Sequence, residues 1–135
     1  MATGGDHGTG VYTSPSIKYC AHPRYAKPFK LDLSKAKQQQ WTSEYMQEFK
    51  KYDGKWIQCI FMLRVKPGSY IKRKETMSYW TDFPHSNGVF DNIKINEIEW
   101  IVTEPYGNYV KNDRILIYGI MIRACNKEMK GYADY

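Results

Sequence analysis

Residues 55–65, Lys-Trp-Ile-Gln-Cys-Ile-Phe-Met-Leu-Arg-Val, constrain this chain most. The run is apolar and rich in β-formers on both faces of an extended backbone, so as a strand it calls for cover on both sides of its sheet. A second apolar run at 114–124, interrupted by Gly119, reads as the final strand. Between them Pro67-Gly68 makes a turn, residues 69–76 offer another strand, and residues 93–103 read as a further one. Alternation along 93–103 puts Glu97, Glu99 and Ile101 on one face and Ile98, Trp100 and Val102 on the other. Val11-Tyr12-Thr13 is a short strand. Ser14 as N-cap and Pro15 at the first helical position then open a helix that carries Tyr19 and Tyr25 and ends at Lys27-Pro28. Residues 29–36 are irregular or begin another helix. The clearest helix is 41–52, where Trp41, Tyr45, Met46, Phe49 and Tyr52 form one apolar stripe that reads as core. Asp53-Gly54 stops it.

At 135 residues the chain suits one domain with one core, spanning 1–135, with 1–6 and 126–135 as loose ends. Twenty basic against fourteen acidic residues give a net charge of +6, which suits an anionic partner such as a nucleotide or nucleic acid and is also a common solubility feature. Cys20, Cys59 and Cys125 are widely spaced without a CxxC pair, which argues against a disulfide framework or a zinc site. They point to a reducing, intracellular setting, cytoplasmic or nuclear. No apolar run approaches the ~20 residues of a membrane helix, and the first residues lack the pattern of a signal peptide.

The chemistry-bearing stretch is Gly8-Thr9-Gly10-Val11-Tyr12-Thr13-Ser14-Pro15, continuing through Tyr19, His22 and Tyr25. Its glycines permit a tight turn or the close approach of a ligand, and His7 enters that turn. It is neither a Rossmann fingerprint nor a P-loop: the third glycine and the Gly-Lys-Ser/Thr are absent, and the glycines precede the strand. Tyrosines are commonly half-buried packing residues, and that reading stands beside a ligand site. Glu97 and Glu99 are either hydrated on a solvent-facing edge or a carboxyl pair in a cleft. Lys72, Arg73 and Lys74 suit a solvated edge strand, with contact to phosphates as the second reading. Residues 77–94 read as a long surface loop anchored by Tyr79, Trp80, Phe83 and Phe90 and carrying His85 as an exposed bystander.

The stretch from Gly8 to Tyr25 resembles the second motif of the ADP-ribosyltransferase superfamily, in its poly(ADP-ribose) polymerase-like branch. There Gly-x-Gly-Ile/Val-Tyr precedes a short helix ending in another tyrosine. Glu99-Trp100-Ile101-Val102, followed by Arg114-Ile115-Leu116-Ile117-Tyr118, is similar to that family's last strand pair. The resemblance implies an α+β domain with a central, mostly antiparallel split sheet and a few short helices. It implies NAD as substrate and transfer of ADP-ribose to a protein or nucleic-acid acceptor. Tyr12 would pack against the nicotinamide, Tyr25 would stack on its other face, and Gly10 would let the backbone approach. Glu99 would be the catalytic glutamate. His22, with Ser14 and Ser16 further off, stands near the place of the family's carboxamide-binding serine. Glu97-Ile98-Glu99 also resembles the Glu-x-Glu of arginine-modifying toxin-type transferases, in which Glu97 would orient or deprotonate an acceptor. The family's first motif is not in its usual place: His7-Gly8-Thr9 has the residue types but lies only a few residues before Tyr12. An inactive binding module on the same scaffold and a basic nucleic-acid-binding domain are the alternatives.

Overall fold

The computed structural model describes residues 7–38, 42–77, 88–103 and 113–131. In chain order the elements are β1 (Val11–Thr13), α1 (Ile17–Cys20), β2 (Phe29–Lys30), α2 (Leu33–Gln38), α3 (Ser43–Phe49), β3 (Trp56–Val65), β4 (Tyr70–Arg73), β5 (Val89–Phe90), β6 (Ile93–Lys94), β7 (Glu99–Val102) and β8 (Ile115–Cys125). Short helices and small sheets make an α+β fold. One sheet has the order β1-β7-β4, a second has the order β2-β3-β8, and β5-β6 is a separate hairpin. Every pairing among the described residues is antiparallel.

The strong apolar runs at 55–65 and 114–124 become β3 and β8, paired from Trp56↔Cys125 to Val65↔Ile115 with a register shift at Met62/Leu63. Among the described residues the cover expected on both faces reaches only the start of β3, where Ile57 and Gln58 are buried. Phe61 is 61% exposed, and β8 exposes large apolar side chains from Leu116 to Ile122. Much of this ribbon is therefore apolar surface in water, and among the described residues only β2, two residues long, extends its sheet beyond β3. Two clusters of buried residues form the core instead. Tyr19, Met77, Phe90 and Ile98 make one, and Val11, Val102 and Ile115 make the other, with Leu63, Val65 and Tyr70 packed against it.

Several local expectations are corrected. Helix α1 is capped by Ser16, whose hydroxyl accepts from the Tyr19 N–H at 3.0 Å, and it stops at Cys20. Ser14 instead accepts from the Ser16 N–H, so the cap sits two residues later than the Ser14-Pro15 reading placed it. The stripe of α3 is not core, because Tyr45 is 59% exposed and no residue of the helix is buried; Trp41 lies outside the described residues. The strand expected over 93–103 is divided. A 3-10 turn at Ile95–Glu97 intervenes, and β7 starts only at Glu99. Alternation across that turn fails, so Glu97 and Glu99 do not share a strand face. Part of the expected long loop is the β5-β6 hairpin, turned by Asp91 (φ 52) and Asn92 (φ 62), the paired positive dihedrals of a two-residue type I′ turn. His85, Tyr79, Trp80 and Phe83 lie outside the described residues. The tail is anchored in part, because Met129 is 2% exposed.

Gly10 has a structural reason to be glycine. A Cβ there would stand 2.6 Å from Ile101 Cγ2 and 2.9 Å from the Val102 carbonyl oxygen. The neighbour at this position is the β7 backbone, so any substitution must push β1 away from its partner. Gly10→Ala is expected to destabilise the fold by about 2 kcal/mol, the scale of overpacking a well-filled contact. The urea midpoint measures this, and an unchanged midpoint would mean that the two strands separate at no cost.

Candidate active site

Glu99 is the first residue of β7 and is 2% exposed. Leaving a carboxyl group buried is costly unless donors surround it. They do so on one oxygen. Oε1 accepts from the Tyr19 hydroxyl at 2.5 Å, the Thr76 hydroxyl at 2.7 Å, the Tyr25 hydroxyl at 3.1 Å and the Thr76 N–H at 3.2 Å. The hydroxyls also meet one another, Tyr25 with Thr76 Oγ1 at 2.9 Å and with Tyr19 at 3.2 Å. Oε2 is buried and accepts no hydrogen bond among the described residues. The Nε2 of His7 stands 3.9 Å from it and donates to the Lys74 carbonyl at 2.8 Å.

Three separate segments deliver these groups. The four-residue helix α1 turns Tyr19 inward, where its ring packs edge-on against Phe90 at 6.2 Å. The turn after α1 is fastened to β3 by buried Gln58, whose Nε2 donates to the carbonyls of Ala21 (2.5 Å) and Ala26 (2.7 Å). That fastening sets Tyr25, whose ring lies 5.4 Å from Tyr19 and beneath the Arg24 guanidinium at 5.8 Å. Arg24 in turn donates to the Thr76 carbonyl at 2.9 Å. Thr76 follows β4, the strand that pairs Arg73 with Glu99. A cavity of about 380 Å³ shares Lys74 with this region and is also lined by Gly88, Lys94, Ile95 and Asn96.

Of the residues singled out from the sequence, Glu99 and Tyr25 come together, His7 stands beside them, and the others lie elsewhere. Tyr12 staples the glycine turn: its hydroxyl donates to the Gly8 carbonyl at 2.8 Å and accepts from the His7 N–H at 3.1 Å. His22 is fully buried, its Nδ1 accepting from the Arg24 N–H. Glu97 sits at the surface, 3.1 Å from Lys72, so it is not a second carboxyl group at the Glu99 site. That pair also offsets part of the Lys72-Lys74 charge, and Lys74 stands 3.9 Å from Glu75. Tyr19 and Thr76 were missed as site residues. Tyr19 was legible as a helical aromatic, but nothing in the spacing tells that it faces a residue 80 positions away. Among the described residues no group of three His, Cys, Asp or Glu side chains is placed to hold a metal ion, and no helix is long and apolar enough to cross a membrane.

Burial shapes the acidities. Desolvation, reinforced by the hydrogen bond to Glu99, drives the Tyr19 phenol far above the ordinary tyrosine range. Desolvation pushes Tyr25 from 10.0 up to about 12, against the opposing pull of its bonds to Thr76 and Tyr19. The same cause raises the Cys20 thiol from 9.0 to about 11, making it a poor nucleophile near neutral pH.

Comparison of the chain with protein-family models, with curated proteins and with solved structures returns no match.

Two outcomes are expected. Gln58→Met leaves two carbonyls without their donor and lowers stability by about 2 kcal/mol, read by urea unfolding. The folded-state pKa of Tyr25 lies above the unfolded one, so the stability that its protonated form supplies is complete below pH 10 and is lost as pH rises toward about 12. Unfolding free energy measured across that window should decline less steeply in Tyr25→Phe than in the wild type. Parallel declines would remove Tyr25 from the network.

Proposed function

We propose that this chain is an ADP-ribosyltransferase-like domain that binds NAD and transfers ADP-ribose to a macromolecular side chain, with Glu99 as the catalytic carboxyl group. One observation carries the reading. The two sequence stretches that resemble the transferase family, 74 positions apart, meet with the Tyr25 hydroxyl 3.1 Å from Glu99. The β1-β7 pairing, Tyr12 opposite Ile101, brings the same two stretches side by side.

The chemistry assigned to the residues follows from their surroundings. Tyr25 is 41% exposed, so part of its ring can stack on a nicotinamide while its hydroxyl stays in the network. Four donors on Oε1 hold the Glu99 carboxyl group rigidly, leaving Oε2 as the acceptor for a ribose hydroxyl and the counter-charge for an oxocarbenium-like transition state. In the transfer the nicotinamide leaves with the electron pair of the C–N bond. The acceptor's lone pair forms the new bond to the ribose carbon, and the acceptor's proton passes to a base. Lys74 and Lys94 on the neighbouring cavity suit the phosphates of a dinucleotide.

A second reading, a non-catalytic module on the same scaffold, is favoured by the burial of Oε2 and by the engagement of the Tyr12 hydroxyl in its own turn. Calorimetry with NAD together with nicotinamide release separates the two. The transferase reading expects binding and release, with release falling roughly 100-fold or more in Glu99→Gln while circular dichroism shows an intact fold. Binding without release favours the module. Absence of binding, or normal release by a folded Glu99→Gln, overturns the assignment.

A further inference from the structure

We infer that β8 is a self-association edge, along which two copies of this chain pair antiparallel to form one continuous sheet around a two-fold axis. In the sheet β2-β3-β8, β8 is terminal, and among the described residues no strand pairs with its outer edge. A free edge offers a row of unpaired N–H and C=O groups, which proteins ordinarily blunt with charge, proline or brevity. The other sheet edges follow that rule. β4 carries Lys72 and Arg73, β2 is two residues long and includes Lys30, and β1 has three residues.

β8 has little of this protection: Arg123, near its C-terminal end, is its one charged residue, and the register shift leaves Tyr118 as an extra residue in the strand. It is 11 residues long, and no charged residue occurs before Arg123. Leu116 (58%), Ile117 (46%), Tyr118 (57%), Ile120 (57%), Met121 (36%) and Ile122 (54%) are exposed on both faces. Their exposed surface is on the order of 600 Å² per copy; pairing along the edge covers the part of it that faces the partner strand, so the interface is smaller than the roughly 800 Å² per partner of a standard one and draws on the main-chain ladder as well.

The occupant must itself be an extended strand, uncharged along most of its length, with apolar side chains on both faces, and a second β8, uncharged from Ile115 to Ile122, meets that description. An antiparallel edge is its own complement, so the same surface serves both copies. With only the short, lysine-bearing β2 at the far edge, pairing through β8 uses up the available edge. The assembly therefore closes at two copies, as a six-stranded sheet ordered β2-β3-β8-β8-β3-β2, and does not propagate into a fibre.

The test is sedimentation equilibrium on the wild-type chain and on two double variants, Ile120→Lys with Ile122→Lys, and Ile120→Glu with Ile122→Glu. Both positions are more than half exposed, so the hairpin should survive, as circular dichroism would verify. The wild type is expected at twice its 15.9 kDa mass. Each variant should raise the dimer dissociation constant roughly 100-fold or more through like charges meeting across the axis. An equimolar mixture of the two variants should associate again. A wild type that stays monomeric, a dimer that survives both variants, open oligomers that grow with concentration, or a mixture that stays dissociated would each overturn the inference.

Discussion

The buried carboxyl group of Glu99 is the interaction on which the centre of this protein depends. An acidic side chain at 2% exposure must be met by donors, and the fold recruits them from α1, from the turn after it and from the segment after β4. The cost of leaving Glu99 unmet is what holds Tyr19, Tyr25 and Thr76 in one place. Replacing one member does not remove one bond alone, because each hydroxyl also touches another, so the network responds as a unit.

The same arrangement makes the site chemically asymmetric. One oxygen of Glu99 is crowded with donors and the other accepts no hydrogen bond among the described residues. The saturated oxygen fixes the orientation of the carboxyl plane, and the other is enclosed by the protein with the His7 ring nitrogen 3.9 Å away. The neighbouring residues divide in the same way. Tyr12 and Gln58 serve the backbone around the site, whereas Tyr25 both joins the network and presents ring surface to solvent.

Away from the site, apolar surface is distributed unusually. The core clusters gather around β1, β7, α1 and the end of the β3-β8 ribbon at Leu63, Val65 and Ile115, while much of the rest of that ribbon's apolar surface is in water. Such an edge is a liability for a solitary chain and an asset for a paired one. The register shift at Met62/Leu63 sharpens the local twist without adding charge, so it bends the ribbon but does not by itself prevent pairing.

The sequence by itself marked the two long apolar strands, the β4 edge and the glycine turn into β1, because apolar period, turn residues and β-branching act locally, whereas the α+β character was read through the family resemblance. It also marked Glu99 and Tyr25 as candidates through a family resemblance. Tertiary structure alone decided the rest. Alternation could not see the 3-10 turn that separates Glu97 from Glu99, since strand periodicity assumes unbroken extension. The stripe of α3 could not tell core from surface, because an apolar face is buried only if another element arrives to cover it. Tyr19 and Thr76 reach Glu99 only through long-range packing, which no spacing along the chain encodes. The need for glycine at position 10 belongs to the same class: it comes from a strand that arrives from the far end of the chain, and the distance between Gly10 and Val102 exists only once β1 and β7 have paired.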